Sequence, residues 1–287
     1  MQTLQKPSNR LYYLPPYQKT DRPILAAVAG DDKTLLIDAG NSSNHAKQFK
    51  EQLAAHNVFG DFLALTHWHW DHVFGLYEME IPSIANFMTY DKVNELQGLS
   101  WEDKELDKRV EAGIEIPFCA DAIKLELGSE REVIIPDPAI IFEEKMKLNL
   151  GGVTCIIEHV GGDHSPDSNI IYIPEEKTLF LGDCLYANMY AEKWNYTIEN
   201  VFKLLEKIDG YDANTFFLSH HPAPLTKDEF AGFVLLLKTS AILTKKHKGE
   251  PETIAAEMSS YFQRVLTEDD LEIIRYFVNG YMNGFDM

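Results

Sequence analysis

Between Asp61 and Gly75 the chain reads DFLALTHWHWDHVFG, which places His67, His69, Asp71 and His72 within one short stretch. Phe62, Leu63, Ala64 and Leu65 form an apolar run bounded by Asp61 and Thr66, and this predicts a short buried strand running into a loop. The side chains able to bind a metal therefore follow a strand end. On an extended or tightly turned backbone, His67 and His69 project the same way, while Asp71 and His72 can turn toward a second point nearby. Neutral imidazole and carboxylate suit a borderline cation such as zinc, so this spacing supplies partial shells for two adjacent metals. Such shells need further ligands from distant parts of the chain.

Three later segments have the same form, an apolar run ending in a ligand-type residue. VTCIIEHV leads into Gly161-Gly162-Asp163-His164-Ser165-Pro166-Asp167-Ser168, where the glycines permit the close backbone approach that lets His164 reach a metal on another loop. His159, inside the run, is the neighbouring alternative, and its place in the strand favours a packed or surface role. Leu179-Phe180-Leu181-Gly182 ends in Asp183, and Phe216-Phe217-Leu218 ends in Ser219-His220-His221.

The order H-x-H-x-D-H, here His67-Trp68-His69-Trp70-Asp71-His72, resembles the metal-binding signature of the metallo-β-lactamase superfamily. The His164 segment resembles that family's third motif, with Asp167 in the usual glycine place, and Gly182-Asp183 resembles the fourth. The resemblance implies that His67, His69 and His164 hold one metal, that Asp71, His72 and His221 hold the other, and that Asp183 bridges them. His220 is the runner-up to His221. Two divalent ions are implied, zinc first, with iron or manganese as alternatives. The implied fold is an α/β four-layer αββα sandwich with the site at one edge of two facing sheets. Asp38-Ala39-Gly40 resembles an early motif whose aspartate supports the metal loop, and it also reads as a plain strand-ending turn.

The resemblance also implies hydrolysis by an activated water, with Asp71 orienting it as well as binding a metal. Tyr186, three residues after Asp183, looks like the tyrosine of the family's lactonases, where it contacts the substrate oxygen; packing at the pocket edge is the other reading. The leading expectation is an ester-like carbonyl substrate, a lactone or a thioester. Phosphodiester or RNA hydrolysis is the second. A non-hydrolytic oxidoreductase is the third, and the intact second histidine argues against it.

Around this centre, the apolar runs Ile24 to Gly30 and Thr34 to Asp38 predict a hairpin, and Asn41 or Ser42 caps a helix running to about His56 with Phe49 and Leu53 on one face. His45 and His56 are expected at the surface. A charged helical insertion is expected over about 88–114, as a wall of the site or a solvated face, with Trp101 and Phe118 as pocket or packing aromatics. A second set of strands is expected from Arg131 to Phe180, then a helix from Thr197. The catalytic domain is expected over 1–225, and a helical appendage over 226–287, in three helices: Lys227 to Lys246, Glu252 to Val265 and Glu268 to Tyr281.

At 287 residues the chain can bury a large core. Its net charge of −19 disfavours a phosphate backbone as partner, so a small-molecule substrate is expected and nucleic acid is not. No apolar run reaches membrane-helix length. MQTLQKPSNR lacks a signal-peptide core, and Cys119, Cys155 and Cys184 are odd in number and far apart, so a reducing, cytoplasmic setting is expected, with Cys184 a buried structural thiol. A homodimer is left open as the assembly.

Overall fold

The protein is described from a computed structural model covering residues 2–283. The first half builds one sheet and its outer helices. In chain order these are β1 (Leu11–Leu14), β2 (Leu25–Ala29), β3 (Thr34–Ile37), α1 (Ser43–Ala54), β4 (Phe62–Ala64), α2 (Trp70–Val73), α3 (Leu76–Met79), β5 (Ser83–Asn86), α4 (Phe87–Gln97), α5 (Asp103–Glu111), α6 (Pro117–Leu127) and β6 (Ile140–Phe142). The second half supplies β7 (Lys145–Asn149), β8 (Thr154–His159), β9 (Asn169–Ile173), β10 (Thr178–Gly182), α7 (Ile198–Asp209), β11 (Thr215–Leu218) and β12 (Leu225–Thr226), then α8 (Lys227–Lys246), α9 (Pro251–Phe262) and α10 (Glu268–Asn283). Strands β1 to β6 form one sheet in sequential order, and β12 to β7 form the other.

Period-two alternation sorts the side chains into layers. Leu35 and Ile37 of β3 point into the space between the sheets and meet Ile157, Ile171, Phe180 and Phe217, whereas Leu36 points out beneath α1, against Phe49 and Leu53. On β10 the pattern repeats, with Phe180 inward and Leu179 and Leu181 outward against Leu204 and Leu205 of α7. Phe180 and Phe217 stack with centroids 4.4 Å apart across the β10–β11 pair. Helix, sheet, sheet, helix is the αββα order.

The amphipathic patterns predict α1, α7 and α8 closely. Ser42 caps α1 by accepting from the His45 amide at 3.0 Å, and Thr226 with Glu229 forms a reciprocal capping box at α8. Two expectations need correction. The insertion is longer than 88–114, because α6 follows, with Pro117 in its first turn and Cys119, Ala120, Ala122 and Ile123 packed inward. The run beginning at Arg131 does not belong wholly to the second sheet, since Ile140–Phe142 pairs parallel with β5 and extends the first.

The last three helices do not stand apart. Phe230 of α8 stacks on Phe216 at 3.9 Å between centroids, and Leu237, Ala241 and Phe277 share a core with α7 and β11. Among the described residues, no helix is long and apolar enough to cross a membrane.

Candidate metal centre

Every ligand-type side chain arrives from a strand end on the same edge of the sandwich. β4 delivers the loop with His67, His69, Asp71 and His72, the turn after β8 delivers His164, β10 delivers Asp183, and β11 delivers His220. Parallel pairing of β3 with β4 and of β10 with β11 brings these ends level. Gly182 is required where β10 passes the first loop. Its φ is +55°, and a Cβ there would lie 2.8 Å from the Thr66 Cβ.

Behind the loop, Asp38 serves as a clamp as well as a strand-ending turn. It sits in the left-handed region at φ 60°, accepts from the Thr66 amide at 2.8 Å and from the Thr66 hydroxyl at 2.8 Å, and lies 2.8 Å from His72 Nδ1. A carboxylate on Nδ1 fixes the imidazole so that Nε2 faces forward. The Thr66 carbonyl in turn accepts from the Asn169 amide at 2.8 Å, tying the loop to the second sheet.

Two groups of ligand atoms result, His67 with His69 and His164, and Asp71 with His72, Asp183 and His220. Within each group all the atoms lie within 4.8 Å of one another. His72 Nε2 and His220 Nε2 are each 3.1 Å from Asp71 Oδ2 and 3.3 Å from Asp183 Oδ2. The same Asp183 oxygen is 3.5 Å from His164 Nε2 and 3.7 Å from His67 Nε2, so it touches both groups. Ligand atoms at zinc bond lengths around a tetrahedron stand roughly 3.4 Å apart, which these spacings approach.

The bonding inventory makes the same point. Asp71 Oδ2, His72 Nε2, His164 Nε2 and Asp183 Oδ1 are buried without a hydrogen-bond partner among the described residues. Several of these atoms are close neighbours but fail hydrogen-bond directions, which means that they face a common space rather than each other. Buried polar groups left unsatisfied are costly, and divalent metal is a partner that suits atoms of this chemistry.

The two groups differ in charge, and against the lowering effect of burial the carboxylates of the second raise His72 and His220 well above the ordinary imidazole range. Burial, then the neighbouring His72 and His69, pushes His67 well below the ordinary imidazole range, and burial with His164 does the same to His69, so both are neutral. Burial alone would raise Asp71 and Asp183. The His72 and His220 rings outweigh it and hold both carboxyls well below their usual range.

His221 is the sequence expectation that the geometry overturns. After Leu218 the chain turns, with the His221 amide bonded to the Leu218 carbonyl at 3.1 Å, so strand alternation no longer decides which histidine faces inward. His220 enters the cluster, while His221 Nδ1 turns to the Ala223 carbonyl at 2.6 Å. Tyr186 lines the cavity, with its ring centroid 6.0 Å from that of His164 and 6.2 Å from that of His220. Burial and the charge of Asp183 push its phenol well above its ordinary value, so it stays a donor.

Other residues settle differently. His45 is buried, not at the surface, and burial lowers it well below its usual range. Trp101 packs in the core against Phe74, whereas Phe118 lines the cavity. Cys184 is buried in the core beside α7. Asp163 binds the Thr197 amide at 2.7 Å and Asn200 at 2.8 Å at the start of α7, and Asp167 ties the His164 turn to Thr89 of α4 at 2.7 Å. Asp21 was missed altogether. Its left-handed backbone, at φ 56°, places Oδ1 3.4 Å from His220 Nδ1, and burial, with Asp71 next, raises its carboxyl to about 7. The turn KTDRP carries no signal for that role.

The metallo-beta-lactamase superfamily profile matches residues 22–220, a span that holds all seven clustered side chains. The chain belongs to the metallo-β-lactamase superfamily. Members of this superfamily are mostly hydrolases, and the His/Asp clusters here suit divalent metal. A curated relative, the beta-lactamase-like protein 2 homolog of Caenorhabditis elegans, is 24% identical over 66% of this chain, which spans about half (52%) of that protein. A metallo-beta-lactamase from Pontibacter korlensis has a TM-score of 0.57 at 16% identity, covering 82% of this chain and 98% of its own. The stereoselective inverting sec-alkylsulfatase Pisa1 from Pseudomonas sp. has a TM-score of 0.63 at 16% identity, covering 98% of this chain and 49% of its own. At such identities the likeness is one of fold. The superfamily match ends where α8 to α10 have yet to begin.

Proposed function

We propose that this superfamily member is a binuclear metal-dependent hydrolase of ester-like carbonyls, a lactone or a thioester. The carrying observation is the reach of Asp183 into both ligand groups. His67, His69 and His164 would hold one ion, and Asp71, His72 and His220 the other, with Asp183 between them and zinc the first choice of metal. When bound, such a pair supplies Lewis acidity and lowers the pKa of water at the site.

The chain's own groups do the rest. Asp71 stays ionised beside His72 and His220, and it orients a water by accepting a hydrogen bond from it. Asp38 keeps His72 from rotating, and Thr66 holds the loop at its root. Tyr186 keeps its proton and donates to the oxygen on which charge develops. The substrate is a small molecule that enters a cavity of about 430 Å³, and the C-terminal appendage contributes Glu272 and Tyr276 of α10 to its wall. Three buried free thiols accord with a reducing, cytoplasmic setting.

Metal analysis with a screen over lactone, thioester and phosphodiester substrates tests this reading, and a preference for the phosphodiester would overturn it. Tyr186→Phe keeps the ring and its packing, so metal content should hold while kcat on the best carbonyl substrate falls by about 10-fold to 1,000-fold. An unchanged kcat would assign Tyr186 to packing.

A further inference from the structure

Beyond the ligand cluster, the cavity is walled by aromatic and apolar side chains, among them Phe118 at the rim, Met189, Trp194 and Tyr276. Outside the cluster its two acidic side chains are Asp21, beside His220, and Glu272, and no lysine or arginine lines it among the described residues. The cations that flank lining residues in the sequence are Lys19, Arg22, Lys193 and Arg275. Lys19 and Lys193 are exposed, Arg22 pairs with Glu126 at 2.6 Å, and Arg275, 5.8 Å from the Tyr276 ring centroid, pairs with Glu272 at 2.8 Å, so the wall carries no unpaired positive charge.

This wall is a built feature, not a loose surface. α10 grips the segment that follows Tyr186 through the Tyr196 amide on the Tyr276 carbonyl at 3.0 Å and Asn279 on the Trp194 carbonyl at 2.8 Å. Gly280 allows this contact, since a Cβ there would stand 2.0 Å from the Tyr196 carbonyl oxygen. The Trp194 and Tyr276 rings lie 6.0 Å apart, and Glu272 sits one turn before Tyr276 on the same helix.

We infer that the substrate's non-reacting half is apolar or aromatic and is neutral or cationic, and that α10, through Glu272 and Tyr276, rejects anionic groups there. An aromatic wall with carboxylates and no unpaired cation favours apolar groups and ammonium, and disfavours carboxylate and phosphate. This rests on the carbonyl-hydrolase reading and narrows it, away from thioesters on carboxylate- or phosphate-bearing carriers and toward lactones and simple esters.

Three esters of equal acyl length, ending in methyl, trimethylammonium or carboxylate, test it on the zinc-loaded full chain. The carboxylate member should show kcat/KM about 10-fold or more below the methyl member, carried mainly by KM, which is ~1.4 kcal/mol. Glu272→Gln should recover most of that loss, read as the ratio of the carboxylate to the methyl member within the same variant. Equal or faster turnover of the carboxylate member overturns the inference, as does a Glu272→Gln variant with the same ranking.

The matching methyl ketones, which cannot be hydrolysed, supply a second readout by calorimetric titration. If none of the esters turns over, the carbonyl reading fails, and the ketone affinities still decide the pocket. The weakest binding by the carboxylate ketone supports the inference. Equal or tighter binding overturns it.

Discussion

Asp183→Asn is expected to strip metal from both ligand groups at once. The amide keeps the shape of the side chain but not its charge, and it offers a single acceptor oxygen in place of two. Asp183 Oδ2 is within 3.3 to 3.7 Å of Nε2 atoms in both groups, so the all-histidine group loses its one adjacent carboxylate and the other group is left with Asp71 alone. Loss of a partner merely behind the ligands typically costs about 10-fold to 100-fold in affinity or activity, so losing this carboxylate should exceed about 100-fold. His67→Ala with His69→Ala empties one group only and should remove at least one ion per chain. Metal content by mass spectrometry, with circular dichroism to confirm folding, checks both variants. Full occupancy in Asp183→Asn would sink the bridging role.

The second large effect separates neighbours. His220→Ala should lose the second metal and reduce kcat/KM by about 100-fold or more, because it removes an Nε2 standing 3.1 Å from Asp71 and 3.3 Å from Asp183. His221→Ala should change either quantity by less than about 3-fold. Its ring is bonded to the Ala223 carbonyl of its own turn, and surface changes of that kind usually cost within about 0.5 kcal/mol. The reverse ranking would show that the turn after β11 is drawn one residue out of register.

The ligand cluster was legible because its chemistry is local. H-x-H-x-D-H lies in one loop, and apolar runs ending in His164 and Asp183 announce strand ends whatever the order of the sheets. Three things were hidden. A turn breaks the alternation that would choose between His220 and His221. The parallel seat of Ile140–Phe142 beside β5 is set by residues far away in the chain, so an apolar run alone does not assign it to a sheet. Asp21 and Glu272 reach the cavity through tertiary packing alone, one from a left-handed turn and the other from α10. The burial of His45 was missed for a related reason, because a polar residue on the inner face of α1 looks like surface until the helix is docked.

The Thr66 carbonyl accepts from Asn169 at the root of the first loop, and the Ile24 amide bonds the Ser219 carbonyl at 2.7 Å beside His220. Each contact joins one sheet to the other across a long stretch of chain. Such contacts form late in folding, because loop closure must be completed before they repay it. A chain with only its first sheet formed owns half a site and cannot retain the ion pair. Ion release on titration with urea should therefore coincide with loss of the Tyr13–Phe217 ring contact between the sheets, at 5.2 Å between centroids, making the cation a reporter of the moment at which the two halves of the molecule part.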